Sequence, residues 1–276
     1  MNGELLTLSR PPITEVALAV QLEPGTIGAL DVSHFHSSVL AKYPKDEHQP
    51  ARPPMEESFE QPTEGPQFRF EVMAAPPMPR FWFLNDDGSR LVQTQHDLIA
   101  VNWRRVADDA DYPRYKTLRG ELLEHLEAFD ELLTAKGKPG LRPNWCEVTY
   151  INLIRPPEGG FERLPLERVL RMVRPLPAEG FLPSPEDAQL VQRFIIPGEQ
   201  RPAGRLTLAV ASAINVSDQV PVWSLNLTGR VLATGEGLDS SLSALDVARE
   251  WAVSAFEEVT TPEMQSQWGR EQRKKT

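Results

Sequence analysis

The sequence predicts an α+β protein made of two tandem β-α-β-meander-α units, each an antiparallel sheet packed by a long helix. Three observations carry this expectation. The order strand, helix, meander, long helix runs twice, with a boundary near residue 140, giving units at 1–140 and 141–276. Short runs that alternate apolar and polar residues are bounded by Pro and Gly, as half-buried strands are. Two longer runs place apolar residues at helical spacing.

In the first unit, Pro11-Pro12 bars a helix and leads into Ile13–Leu22, where Val16, Leu18 and Val20 form the more apolar face of a strand. Pro24-Gly25 ends it. Residues 30–43 read as a helix through Val32, Phe35 and Val39, stopped by Pro44. The proline-rich insertion 44–79 holds nine prolines among acidic residues and reads as an extended loop with one strand at 68–72. A meander follows at 81–84, Arg90–Gln95 and 98–103, its first turn made by Asp87-Gly88. The helix 116–136 carries Leu118, Leu122, Leu126, Phe129 and Leu133 on one stripe, with Gly137 as its C-cap.

In the second unit, 145–154 is the clearest strand of the chain, rich in β-branched and aromatic residues. A shorter helix is expected over 165–173. Strands at 190–196, 206–214 and 223–231 follow, then a helix over 240–259 whose Ala248, Ala252 and Ala255 let it lie close to a sheet. Thr261-Pro262-Glu263 is an N-cap, a first-turn proline and an acid at the positive end of a helix dipole.

Composition narrows the function classes. A net charge of −10 opposes general nucleic-acid binding, because phosphate contacts need a basic stripe; the basic tail 270–276 is a local exception. No apolar run is long enough to span a membrane. The opening residues lack the basic-then-apolar order of a signal peptide, and Cys146 is the sole cysteine, so a cytoplasmic location is expected.

No spacing assembles a catalytic or metal centre. His34 and His36 sit about 200° apart on a helix and cannot share one ion. His96-Asp97 falls at a hairpin turn with no nucleophile announced nearby. Around His125 the acids stand at Glu121, Glu124 and Glu127, whereas a di-iron helix needs one at the position held by Leu122. The expectation is therefore no catalytic residue, no metal and no cofactor. Amides are the more informative polar groups: Gln93, Gln95 and Asn102 on one meander, and Asn152 on a strand face with Tyr150, Val148 and Cys146. They are the candidate ligand-binding residues.

Five strings in order resemble a sporadically distributed bacterial family of proteins of roughly this length: Pro11-Pro12-Ile13 with Glu15-Val16, Asn102-Trp103-Arg104, Tyr112-Pro113-Arg114-Tyr115, Val148-Thr149-Tyr150-Ile151-Asn152, and Trp268-Gly269-Arg270. The resemblance spans nearly the whole chain and implies no activity, cofactor or site residue. The element order itself resembles helix-grip and TATA-binding-protein-like architecture in tandem, a likeness of fold that carries no function.

The function expected first is a non-catalytic binding or scaffolding protein acting through a protein partner or as a homo-oligomer. Trp103, Arg104, Tyr112 and Tyr115 would supply its surface, since aromatics and arginine dominate interface energetics. The alternative is a small-molecule-binding protein or enzyme with a cavity between sheet and long helix. Burial of Tyr112 and Tyr115 would count against the first, and a pocket where the amides converge would favour the second.

Overall fold

A computed structural model describes residues 5–271 apart from 60–77, 108–109, 157–159, 161, 176, 178–179, 183–184 and 236. The strand expected at 68–72 lies outside the described residues. In chain order the elements are β1 (Ile13–Leu22), α1 (Ala29–Val39), β2 (Lys45–Gln49), β3 (Arg80–Leu84), β4 (Arg90–Gln95), β5 (Leu98–Arg104) and α2 (Arg114–Ala135). They continue with β6 (Pro143–Ile154), α3 (Leu166–Val169), β7 (Gln189–Ile196), β8 (Gly204–Ile214), β9 (Pro221–Leu232), α4 (Gly237–Val259) and α5 (Pro262–Gln267).

The nine strands of the described residues form one antiparallel sheet in the order β2-β3-β4-β5-β1-β6-β9-β8-β7. The halves of the chain therefore share a sheet, joined where β1 pairs with β6 in the register Val16↔Tyr150, Leu18↔Val148 and Val20↔Cys146. Each central strand also pairs with the last strand of its own half, β1 with β5 and β6 with β9.

One face of the sheet carries the core. Val16, Leu18 and Val20 of β1 pack with the Leu118–Phe129 stripe of α2, and Val148, Leu225 and Leu227 with Leu245, Ala248 and Ala252 of α4. The small stripe of α4 lets its backbone sit almost on β9. A Cβ added at Gly229 would lie 2.6 Å from the Ala248 carbonyl oxygen, so glycine is required there by space.

Three expectations change. Residues 45–49 form an edge strand that the sequence conceals, because Lys-Asp-Glu-His-Gln has no apolar face and is exposed on both sides; charge on an edge strand discourages pairing with other chains. The helix expected over 165–173 is a single turn. At Leu170 the backbone extends and bridges Thr260, and Arg171 N–H donates to the Val259 carbonyl, so tertiary pairing takes the groups a second turn would use. The stretch after β2 is also tied down. Gln21 Nε2 donates to Met55 O at 3.1 Å and Gln21 Oε1 accepts from Met55 N–H, while Gln95 exchanges an equivalent pair with the Arg52 backbone at 2.7 and 2.8 Å. Residues 52–59 thus cross the second face of the sheet as a strap. Its charges interlock: Glu147 accepts from Arg52 at 2.7 Å and Arg230 at 2.6 Å, and Glu57 from Arg205 at 2.6 Å.

Candidate functional site

The amides named from sequence separate to opposite faces of the sheet. On the strap side, Trp82 Nε1 donates to Gln93 Oε1 at 2.9 Å, Gln93 Nε2 to Asn102 Oδ1 at 2.5 Å, and Asn102 Nδ2 to Glu15 Oε1 at 2.6 Å. Gln95 is consumed in holding the strap and in a 2.9 Å bond to Asp97. These three amides satisfy one another and their neighbours, as buried amides must. Only Asn152 lies on the helix side, where its Nδ2 donates to Leu225 O at 2.9 Å. The four do not converge.

The partner surface proposed from sequence also breaks up. Trp103 is 3% and Tyr115 5% exposed, and Tyr112 is half-buried, its ring packed on Trp103 at 5.4 Å between centroids. Arg104 lies on the other face of the sheet, over Trp82 and beside Glu15. These residues are ring packing and ion pairs of the fold, and do not present one exposed patch.

The histidines part in the same way. His36 stacks on Phe83, and His34 lies against Lys136. His125 is buried with Tyr43 and Glu121, the Tyr43 hydroxyl donating to Glu121 Oε1 and Arg90 reaching the other oxygen at 2.5 Å. Burial lowers the His125 imidazole to about 4, against the opposing pull of Glu121. Among the described residues no group of three or more His, Cys, Asp or Glu could hold a metal ion, and no helix is long and apolar enough to cross a membrane. Cys146 is buried, which pushes its thiol well above the usual range.

The side chains that do converge lie around a pocket of about 210 Å³ where the two long helices meet the sheet centre. Its floor is Tyr150 and Asn152 of β6 with Leu227 of β9; one wall is Arg249, Val253 and Phe256 of α4. The segment 6–13 closes another side. Pro11 and Pro12 keep that segment out of a helix, and it is pinned by Ser9 N–H to Gly269 O and Arg10 N–H to Trp268 O, both 3.0 Å. At the mouth stand Tyr112, Arg114 and Tyr115 at the start of α2. Tyr115 Oη donates to Asp246 at 2.8 Å, and Arg119 grips the same carboxylate, which fixes α2 against α4.

The local backbone is unusual. Arg114 has φ +69°, a left-handed conformation that costs a non-glycine residue roughly 1–2 kcal/mol and persists where surroundings enforce it. Pro113 supplies no side-chain cap and the first turn of α2 holds no acid, so the leading amides and the positive dipole end are left uncompensated.

Two residues lining the pocket each have a buried polar atom without a protein partner. The Tyr112 hydroxyl is buried with no hydrogen bond of good geometry, although Tyr150 is near enough to act on it; Arg249 Nε is buried and unpartnered too. The Arg249 guanidinium lies over the Tyr115 ring at 4.8 Å, and neither it nor Arg114 has a carboxylate within 4.0 Å among the described residues. Burial raises the Tyr112 hydroxyl far above the usual phenol range, with Tyr150 adding to the rise and Arg249 and Arg114 opposing it. Tyr150 is raised by burial, against Tyr112 and Arg249. Both phenols are therefore protonated donors at neutral pH. The lining contains no acid, histidine or cysteine, so the described pocket is equipped to bind and orient, and offers no general base or strong nucleophile.

Sequence reasoning passed over Arg249, Arg114 and Tyr150 as site residues. A signal for the first was present. Arg249 stands four residues after Leu245 and three before Ala252, a lone cation on an otherwise apolar helical stripe.

The chain matches no protein-family model and no curated protein.

Proposed function

We propose that the chain is a small-molecule-binding protein whose ligand occupies the pocket between α2, α4 and the centre of the sheet. The observation that carries this reading is that Tyr112 and Arg249, each with a buried polar atom lacking a partner (Oη and Nε), line one largely apolar cavity. A polar group buried without a partner costs about 1–3 kcal/mol, and a ligand toward which either side chain turns recovers that cost. Parts of all five strings behind the family resemblance meet here, while Glu15, Asn102 and Arg104 lie on the other face of the sheet. Three line the pocket, Trp103 packs on Tyr112, and Trp268-Gly269 pins the closing segment. The tandem helix-grip or TATA-binding-protein-like reading fits as well, since the junction of two such units is where this pocket lies. Thermal-shift screening of a fragment library against the parent and Val253→Trp, which fills the cavity from a half-buried position, tests the reading. Hits confined to the parent support it; hits shared equally by both, or none, refute it.

A second reading, a protein partner, is favoured by one specific feature. Among the described residues the outer edge of β7 has no neighbouring strand, and Val191, Phe194 and Ile195 along it are 49%, 39% and 52% exposed. A second copy of this chain could add its own β7 there. Light scattering on the parent and Ile195→Lys decides: a dimer lost on substitution supports it, and a monomer throughout removes it. Nucleic acid is poorly served, because Arg52, Arg205 and Arg230 on the strap side are paired with Glu57 and Glu147. The proposed role is cytoplasmic and needs no metal or cofactor.

A further inference from the structure

We infer that the pocket selects an anion: its ligand is a small molecule with one acidic headgroup, carboxylate or phosphate, on a compact apolar body. This rests on the pocket being a ligand site and goes beyond it by fixing the ligand's charge. Two guanidinium groups, Arg114 and Arg249, face the cavity with no carboxylate partner among the described residues, whereas Arg119, a turn away on α2, is neutralised by Asp246. Among the described residues the lining has no acid. The uncapped first turn of α2 points the same way, since its positive end favours negative charge. Tyr112 and Tyr150 add hydroxyl groups, Tyr112 with no partner of good geometry and Tyr150 with Tyr112 and Arg249 beside it. Arg249 is half-buried and stacked on the Tyr115 ring with no carboxylate to balance its charge, while Arg114 is exposed and donates to the Leu8 carbonyl at 3.3 Å.

The remaining walls limit the body. Leu6, Ile13, Leu227, Val253 and Phe256 are apolar. A cavity of about 150 Å³ takes benzene, so one of about 210 Å³ takes a single ring with a short acidic arm. Arg249 is the residue placed to read the headgroup, with Tyr112 beside it.

Titration calorimetry with phenylacetate, phenyl phosphate and the neutral isostere phenylacetamide tests this on the parent, Arg249→Gln and Val253→Trp. The acids should bind the parent at least roughly tenfold more tightly than the amide, as charge-assisted hydrogen bonds allow. In Arg249→Gln that preference should shrink to within roughly threefold, and Val253→Trp should bind none of the three. Arg249→Gln gives up the guanidinium's stacking on Tyr115 but breaks no ion pair, and it should keep the parent's cooperative melt, so loss of preference there is not loss of fold. Whichever acid is tighter identifies the headgroup, and either ranking supports the inference. Equal affinity for acid and amide in the parent, abolished in Val253→Trp, overturns the anion inference and leaves the pocket reading standing. An acid preference that survives Arg249→Gln also overturns it. Binding that survives Val253→Trp, or no binding of any probe at millimolar concentration, overturns both.

Discussion

Acidification should unfold this protein through His125 before the bulk of its carboxylates protonate. His125 is 5% exposed on the core side of α2, edge-on to Phe35 at 5.6 Å and near Tyr43, and burial lowers it from 6.5 to about 4. Between pH 6.5 and pH 4 the unfolded chain takes up a proton at this site and the folded chain does not, so each step down favours unfolding. The stabilising neutral form is fully present above pH 6.5 and its advantage is gone below pH 4. At about 1.4 kcal/mol per pKa unit, the interval is worth about 3 kcal/mol. His125→Leu removes the titration and keeps an apolar filler. Urea unfolding at pH 6.5 and pH 4 should show the parent losing about 3 kcal/mol more than the variant over that interval. Parallel losses in the two proteins would show that His125 protonates without cost where it sits, refuting the assignment of a buried neutral imidazole.

Further outcomes follow from the packing and the strap. Gly229→Ala should cost about 2 kcal/mol in chemical denaturation, since the added Cβ meets helix backbone at 2.6 Å and α4 must shift; a change below about 0.5 kcal/mol would contradict the close approach. Glu147→Gln should cost about 2 kcal/mol, less than the roughly 3–5 of a fully buried pair because Arg52 and Arg230 are partly exposed. It should also speed hydrogen exchange at the Met55 amide, which Gln21 holds; unchanged exchange would show that the ion pairs do not anchor the strap. Asp31 should add a loss at lower pH. Burial raises its carboxyl, but Lys136, Lys138 and the Gly28 N–H outweigh it and bring it from 3.8 to about 2. Its contribution is present above pH 3.8 and lost as pH falls toward 2, so the acid limb of unfolding should flatten in Asp31→Asn, and an unchanged limb would contradict the pairing.

The parts of the fold legible in sequence were those set by local periodicity. Val16, Leu18 and Val20 of β1, the leucine stripe of α2 and the alanines of α4 all announce a buried face, and each faces the core. The Thr261 cap acts as its sequence suggests, its hydroxyl accepting from Met264 N–H. What stayed hidden was set by distant partners. Nothing within Lys45–Gln49 marks a strand, because its pairing is dictated by β3. Residues 165–173 have helical spacing, but Thr260 and Val259 claim the backbone after one turn. Gln95 and Asn102 looked like ligand groups because an amide on an apolar strand demands a partner; the strap and Glu15, remote in sequence, supply it. The pocket was half visible. Asn152 was named as a ligand-binding residue and Tyr112 as part of a partner surface, whereas Arg249 shows its meaning only once α4, β6 and the start of α2 are brought together.

Native mass spectrometry of the chain, gently purified beside Val253→Trp, tests the central claim most directly. The account predicts a small acidic molecule retained one to one by the parent and missing from the variant. Bare chains in both, or the same small molecule in both, would contradict it.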